Sequence, residues 1–258
     1  MFPPQRIVCL TEETVETLYL IGEDARIVGV SGFAVRPARV RREKSRISAF
    51  TVADIDAILA LSPGLVFTYS DLQADIVAQL IRRGVEVHAF NQHDLAGIFA
   101  MIRMVGAMIG AAEKADALAR QFEHRVETLA RQPAGRRPRI CFEEWSEPII
   151  VGSRWVSELI EVAGGVDVFA DKARQKAGKD RIAMPEEVVA AAPDLIIGSW
   201  CGKKFRPEKV VTRPGFDGVP AVRRGALYEI KSPLILQPGP AALTDGLAAL
   251  ETIIANFR

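Results

Sequence analysis

Cysteine, histidine and net charge are all scarce in this sequence. Of 258 residues only three are cysteine and three are histidine, and 33 basic residues face 32 acidic ones, which leaves a formal net charge of +1. Cys9, Cys141 and Cys201 are widely spaced and odd in number, so neither a disulfide framework nor a CxxC metal site is present. No two histidines have metal-ligand spacing. We therefore expect no metal site built by the protein alone.

Long apolar runs, a basic excess and a signal-peptide pattern are also missing. No run approaches the roughly 18 apolar residues that a membrane span needs. A near-neutral chain lacks the basic surface that binds phosphates, so we expect no nucleic-acid partner. The first residues, MFPPQRIVCL, lack the basic segment, apolar core and cleavage site of a secretory signal.

Common catalytic motifs are absent as well. The sequence contains no GxSxG elbow, no P-loop, no HExxH and no GxGxxG that opens a helix after a strand. Glu143 and Glu144 are adjacent, and adjacent residues of a strand point to opposite faces, so they make a poor acid–base pair. Cys201 has no histidine near it in sequence, which favours an ordinary loop cysteine. These absences favour a binding protein over an enzyme.

One segment of the chain is repeated. DIDAILALSPGLVFTYS, from Asp54, aligns without gaps on MPEEVVAAAPDLIIGSW, from Met184, and brings Pro63 onto Pro193. Each copy has the pattern of an acidic helix start, a proline break and an apolar strand. Chains that alternate such strands with helices form parallel sheets covered on both faces. The sequence predicts an α/β protein with two Rossmann-like lobes and parallel sheets.

A helical region separates the two copies. Residues from Ala112 to Arg131 keep helical apolar spacing, which predicts one long helix of about 30 Å. RQPAGRRPR, residues 131–139, breaks the pattern and is the best linker candidate. We predict an N-terminal α/β lobe at 1–92, a helical region with the long inter-lobe helix at 93–131, and a C-terminal α/β lobe at 132–258.

Aromatic and charged residues follow the predicted strands. Ligands of open parallel sheets bind outside the carboxyl ends of the strands, so these residues are binding candidates. In the first half of the chain they include Phe33, Arg36 and Tyr69. In the second half Arg154 and Lys203 are candidates to face an anionic ligand, and a solvated surface charge is the alternative for each.

All three tryptophans lie on such loops or at the start of the following helix. They are Trp145, Trp155 and Trp200. A single tryptophan is often a packing residue, so burial in a core is the alternative for each one. Because three occur at the strand ends of one lobe, we expect at least two of them to lie on a rim and line a ligand cleft.

One family resemblance covers nearly the whole chain, from about Arg6 to the final helix. It rests on the order of RIVCLTEETVETLYLIGEDARIVGVSG, DIDAILALSPGLVF, the long helix, GSRWVSELIEVAGG and EEVVAAAPDLII. Together these stretches resemble the substrate-binding proteins of ABC importers for cobalamin, iron–siderophores and haem, the helical-backbone metal receptors. The chain resembles the cobalamin-binding branch most. The resemblance implies a rigid helix between two lobes, a shallow ligand cleft and no enzymatic activity.

The resemblance also implies a ligand and its contacts. The ligand is a pre-chelated metal complex, cobalamin-like or a ferric siderophore or haem, and no cofactor is covalently bound. Phe33 or Arg36, with Phe50, stand at first-lobe contact positions, while Ile150 replaces an aromatic and Gln237 an arginine of the cobalamin binder. The expected ligand-binding residues are Phe33, Arg36, Phe50, Tyr69, Trp145, Arg154, Trp155, Trp200, Lys203 and Gln237.

Two acidic residues match in the repeat. Asp56 aligns with Glu186, each near the start of the helix before a matched strand. An acid in a first helical turn gains about 0.3–1 kcal/mol from the helix dipole, which is the purely structural alternative. The resemblance implies that one acid on each lobe docks a monomeric binding protein onto arginines of an ABC permease dimer. Asp56 and Glu186, or Glu187 beside it, fit this role.

Two expectations about location stay open. Members of the resembled family work in the periplasm or tethered outside the cell, which fits a protein whose leader was trimmed. With five residues before the first predicted strand, the sequence as given favours a leaderless protein of the cytoplasm. The second function that we keep is therefore a cytoplasmic corrinoid or metal-chelate handling protein or enzyme on the same scaffold. In that case Glu144 or Cys201 has a chemical role.

Overall fold

A computed structural model describes residues 2–132 and 135–257, and the chain forms two compact units. The first unit comprises Met1–Gln92 with Ala96–Glu123, and the second His93–Leu95 with His124–Arg258. The expected α/β class with two lobes is confirmed. The three-part division of the chain stays a prediction, and residues 133 and 134 of the expected linker lie outside the described residues. Among the described helices, none is both long and apolar enough to cross a bilayer.

The first unit is built on a five-stranded, fully parallel sheet. Its strands are β1 (Ile7–Cys9), β2 (Ile27–Ser31), β3 (Ser45–Ser48), β4 (Leu65–Tyr69) and β5 (Val87–Phe90). They lie in the order β3-β2-β1-β4-β5. Val8 and Leu10 pack with Val66, Ile58 and Leu80 in a buried cluster on one face of this sheet. Such apolar strands, covered on both faces, are typical of parallel sheets.

Within the described residues up to Gln132, six α-helices occur along the chain with this sheet. They are α1 (Glu12–Leu20), α2 (Val40–Glu43), α3 (Ile55–Ala60), α4 (Ala74–Arg82), α5 (Leu95–Met108) and α6 (Ala112–Ala130). Short 3-10 turns occur at Asp24–Arg26 and Asp71–Gln73. The long helix predicted from Ala112 is α6, whose 19 residues span about 28 Å. Its residues up to Glu123 belong to the first unit and those from His124 to the second.

The second unit contains a mixed sheet, where the sequence predicted a parallel one. Its strands are β6 (Arg139–Ser146), β7 (Ile149–Val151), β8 (Val166–Asp167), β9 (Ile182–Ala183), β10 (Leu195–Gly198) and β11 (Leu227–Glu229). β6, β8, β10 and β11 pair in parallel, but β7 runs antiparallel to both β6 and β9. Only Glu147 and Pro148 separate β6 from β7. A connection this short can join only antiparallel strands.

In the described part of the second unit, seven α-helices occur along the chain with this sheet. They are α7 (Arg154–Val162), α8 (Ala170–Ala173), α9 (Pro185–Ala191), α10 (Pro207–Val211), α11 (Pro220–Arg223), α12 (Ser232–Ile235) and α13 (Leu247–Phe257). Turns of 3-10 type lie at Gly178–Arg181 and Phe216–Gly218, and a π-helical turn, Ala242–Gly246, leads into α13. Cys141, Ile196, Trp200, Phe205 and Phe216 belong to the buried core of this unit.

The sequence repeat occupies equivalent places in the two sheets. α3 precedes β4, which pairs with β1 and β5, just as α9 precedes β10, which pairs with β6 and β11. Even the backbone turn is shared, because the aligned residues Ser62 and Ala192 have φ values of 46° and 44°. The predicted similarity of the two segments is confirmed in three dimensions.

Candidate functional site

Three predicted ligand-binding residues lie at one edge of the first sheet. Phe33 follows β2, Phe50 follows β3 and Tyr69 ends β4. Because the strands are parallel, their carboxyl ends share an edge. The Phe33 side chain is 54% exposed, and Phe50 and Tyr69 are half-buried. The structure therefore brings these three aromatic rings to one edge, which we call the aromatic edge.

A residue that sequence reasoning missed holds this edge together. Gln73 is fully buried in the turn before α4. Its Nε2 donates to the carbonyl oxygens of Leu10 and Phe50, and its Oε1 accepts from the backbone N–H of Tyr69. Tyr69 in turn donates its hydroxyl proton to the carbonyl of Gln92 at 3.0 Å. A single glutamine in a polar turn carries no sequence signal for such a role.

Ion pairing and burial affect several charged groups near the aromatic edge. Arg36 donates from Nε to Oε1 of Glu16 at 3.0 Å, and both side chains are mostly buried. Directly after β1, burial and the neighbouring Glu12 raise the pKa of Glu13 to about 8. Burial also raises the pKa of Glu12. Glu13 is therefore largely protonated at neutral pH, which reduces the negative charge of the acidic stretch after β1.

The predicted rim of tryptophans is wrong for two of the three. Trp155 and Trp200 are only 7% and 2% exposed. A buried indole N–H needs a hydrogen-bond acceptor, and Trp155 Nε1 donates to the carbonyl of Ile235 at 2.9 Å, while Trp200 Nε1 donates to Glu143. The alternative of core packing is correct for their placement. Any contact of theirs with a ligand stays a prediction.

Trp145 is the tryptophan that remains partly accessible. It lies in β6, half-buried, and its Nε1 donates to the carbonyl of Glu147. The ammonium of Lys203 lies 3.7 Å from the centroid of its ring, within the range of a cation–π interaction. The structure thus brings two predicted ligand residues, Trp145 and Lys203, into contact with each other.

The two buried tryptophans anchor the segment that follows β11. Besides the bond from Trp155 to Ile235, Ser232 Oγ donates to the carbonyl of Trp200 at 3.1 Å. Gly246, in the π-helical turn, packs closely against the same segment: a Cβ at this position would be 2.4 Å from the carbonyl oxygen of Leu234. This segment carries Gln237, whose Oε1 is buried without a hydrogen-bond partner among the described residues. Trp155 and Trp200 therefore position the segment that ends at Gln237.

Arg154 is engaged within the protein. It begins α7 and pairs with Asp94 at 3.2 Å and with Glu158 at 2.9 Å, with half of its side chain exposed. With Glu158 and Arg174 it lines an open cavity of about 480 Å³. The structural alternative, a surface ion pair, accounts for these contacts.

Glu143 and Glu144 serve as acceptors for their own unit. Arg213 donates to both oxygens of Glu143, at 2.6 and 3.0 Å. Glu144 accepts from the backbone N–H and the hydroxyl of Ser153 and pairs with Arg181 at 2.8 Å. Within the described part of the chain, no group of three His, Cys, Asp or Glu side chains is placed to hold a metal ion.

The two candidate docking acids differ in their surroundings. Asp56 is 85% exposed and pairs with Arg83, whose side chain is 53% exposed, at 3.2 Å, beside an open groove of about 450 Å³. Glu186 is exposed. Its neighbour Glu187 accepts from the backbone N–H of Met184 and pairs with Lys172, which lowers the pKa of Glu187. Since Glu187 is used within the unit, Glu186 is the better counterpart of Asp56.

The sequence matches the family described as periplasmic binding protein over residues 7–234. That match covers most of the chain. The chain belongs to the periplasmic binding protein family. The resemblance inferred from the sequence is therefore confirmed at the level of the family, whose members are substrate-binding proteins.

Individual relatives of this periplasmic binding protein are distant. The vitamin B12-binding protein of Vibrio cholerae is 28% identical over 174 residues, a match that spans 66% of this chain and 63% of that protein. The ABC transporter substrate-binding lipoprotein YvrC of Bacillus subtilis, itself uncharacterised, is 24% identical and covers 96% of this chain and 79% of its own length. The periplasmic heme-binding protein RhuT of Roseiflexus superposes with a TM-score of 0.79 at 25% identity, over 97% and 99% of the two chains.

Proposed function

We propose that this chain is a non-enzymatic solute-binding protein that holds a metal chelate for an ABC importer. The observation that carries the proposal is the aromatic edge of Phe33, Phe50 and Tyr69 on a chain of this family. Aromatic rings offer large apolar faces at a small cost in conformational entropy, which suits a broad, flat ligand. A metal that arrives already chelated needs no cluster of protein ligands.

The ligand class that we favour is a tetrapyrrole-like chelate, a corrinoid or haem. Relatives are named for binding vitamin B12 and heme, and apolar rings dominate the aromatic edge. Arg36 is paired with a buried glutamate and Arg154 with two acids. Such basic groups are poorly placed to add new bonds to a highly anionic siderophore. Ferric siderophores are therefore the second choice.

We propose ligand contacts on each unit separately. Phe33, Arg36, Phe50 and Tyr69 belong to the first unit, and Trp145, Lys203 and Gln237 to the second. We retain Arg154 as a peripheral contact because half of it is exposed. Trp155 and Trp200 act on the ligand through the segment that they anchor rather than by direct contact.

The partner that we propose is an ABC permease dimer, which a monomer of this protein meets outside the cytoplasmic membrane. Asp56 and Glu186 occupy matching places in the two units and are both exposed. Two acidic residues at equivalent positions of a structural repeat suit a dimeric partner that presents the same basic residue twice. We do not retain the cytoplasmic enzyme alternative, because the chain belongs to a family of substrate-binding proteins and Glu144 is engaged by Ser153 and Arg181.

The experiment that tests this function is native mass spectrometry against haemin, cyanocobalamin, cobinamide and ferric siderophores, with Zn²⁺ and Fe²⁺ as bare ions. We expect one stoichiometric complex with a tetrapyrrole and weak binding of the bare ions. Phe33→Ala should weaken that complex, whereas Ile81→Ala, which removes an apolar side chain that is 59% exposed on α4, should leave it unchanged. Tight binding of a bare ion in place of the chelates, or conversion of a chelate, would contradict the proposal.

A further inference from the structure

Gln73 uses its whole amide to join three separate segments of the first unit. The amide nitrogen donates at 3.1 Å to Leu10, just after β1, and at 2.7 Å to Phe50, in the turn after β3. The amide oxygen accepts at 3.0 Å from Tyr69, at the end of β4. A primary amide has two donors and an acceptor, and no other neutral side chain has this set. The side chain is 0% exposed; its bond to Leu10 is buried, and its bonds to Phe50 and Tyr69 are partly buried.

Among the described residues, the turn that carries Phe50 has few other hydrogen bonds to the rest of the unit; at its base the carbonyl of Ser48 accepts from the N–H of Gly32 at 2.7 Å. Ala49 donates to the carbonyl of Val52 at 2.7 Å, and Ser48 bridges to Ala53, so these bonds close the turn on itself. The bond from Gln73 to the Phe50 carbonyl ties the tip of the turn to the body of the unit. On the opposite side of the amide, the backbone of Tyr69 is fixed at the point where its ring leaves the sheet.

We propose that Gln73 is a positioning residue that holds Phe50 and Tyr69 in register at the aromatic edge before a ligand arrives. This inference rests on the proposed function, because it assigns Gln73 to the same binding surface. Ordering a loop at the moment of binding weakens affinity, and a surface that is ordered beforehand avoids that cost. Gln73 touches no ligand itself and acts through the two aromatic residues.

Two substitutions separate positioning from simple loss of packing. Gln73→Met keeps the shape of the side chain and removes all three bonds. Gln73→Glu keeps an acceptor for Tyr69 and turns the donor end into an oxygen that faces the carbonyls of Leu10 and Phe50. Only when this carboxyl is protonated does it again have an O–H to donate to one of these carbonyls. The matched control is Gln79→Met in α4, since Gln79 is exposed and its side-chain amide donates to the carbonyl of Asp75 within its own helix.

Affinities for haemin and cyanocobalamin are measured by tryptophan quenching from pH 5 to 8 and expressed as the ratio of variant to wild type. Losing buried hydrogen bonds of this kind predicts a weakening of about tenfold or more for Gln73→Met at every pH. Gln73→Glu should weaken binding as much as Gln73→Met at pH 8, and its affinity should rise towards the wild-type value as the pH falls. The affinity of Gln79→Met should equal that of the wild type at every pH. A folded Gln73→Met variant with wild-type affinity, or a Gln73→Glu ratio that is flat with pH, would overturn the proposal.

Hydrogen exchange of the backbone amides in the first unit tests the positioning role of Gln73 separately from the proposed function. If the wild type binds neither probe, the tetrapyrrole assignment fails while positioning is still judged from hydrogen exchange without ligand. Gln73→Met should then speed exchange of the Tyr69 amide and of the turn around Phe50 by about tenfold or more relative to Gln79→Met. Unchanged exchange at both places would refute the positioning role.

Discussion

Replacing Arg213 by methionine should destabilise the second unit more than any equally conservative change at a surface arginine. Glu143 is 0% exposed and Arg213 is 11% exposed, and the two form a bidentate pair. Arg213 also donates to the carbonyl of Ser146. In the Arg213→Met variant the one donor left to the Glu143 carboxylate among the described residues is the indole N–H of Trp200, 3.2 Å away. Removing one partner of a buried ion pair lowers the free energy of unfolding by about 3–5 kcal/mol.

The chain supplies a matched control for this substitution. Arg224 pairs with Asp194 at 3.2 Å, but the arginine is 52% exposed. Asp194 also keeps Arg136 at 3.0 Å and the backbone N–H of Arg139 at 3.1 Å when Arg224 is removed. Because Arg224 is exposed and Asp194 keeps these partners, Arg224→Met should lower the free energy of unfolding by less than about 1 kcal/mol. The two variants make the same chemical change and differ in burial and in the remaining partners of the acid.

Urea denaturation followed by tryptophan fluorescence measures the difference. All three tryptophans lie in the second unit, so their emission reports on its unfolding. With a slope of roughly 2 kcal/mol per molar urea, Arg213→Met should lower the midpoint by about 1.5–2.5 M and Arg224→Met by less than about 0.5 M. The double variant Glu143→Leu with Arg213→Met should regain much of the loss. Equal shifts in the two single variants, or no recovery in the double variant, would refute the argument.

Three further outcomes are expected. Because burial raises the pKa of Glu13 from 4.5 to about 8, the folded protein retains a proton that the unfolded chain releases. Stability should therefore fall as the pH rises from about 4.5 to 8. Because burial also raises the pKa of Glu12, Glu13→Gln should make this fall in urea midpoints shallower without abolishing it, and an unchanged slope would count against the argument. Since Arg83 pairs with Asp56, Glu186→Lys should weaken binding to the reconstituted permease more than Asp56→Lys does. Arg83→Gln should strengthen binding to the permease two- to fivefold, which corresponds to about 0.4–1 kcal/mol. Equal effects of the two charge reversals would contradict this prediction. Trp145→Ala should weaken binding of the tetrapyrrole by about 1–3 kcal/mol in a calorimetric titration without lowering the melting temperature, and a wild-type affinity would exclude its contact role.

The sequence by itself determined the features whose signals are local. The order of strands and helices followed from apolar periodicity and proline breaks, and the repeat of Asp54–Ser70 in Met184–Trp200 marked equivalent places in two sheets. The helix from Ala112 ended within one residue of its expected end. Each of these signals is carried by neighbouring residues, so it survives without knowledge of the fold.

Only the tertiary structure decided which side chains meet. Apolar character does not distinguish a core indole from one on a rim, so the burial of Trp155 depended on an acceptor 80 residues away at Ile235. Gln73 joins segments 23 and 63 residues distant, and Arg83, just after α4, pairs with Asp56 in α3. Hydrogen bonds and ion pairs between distant segments leave no periodic trace, because they require only one residue at each end. They arise where packing brings the two ends together.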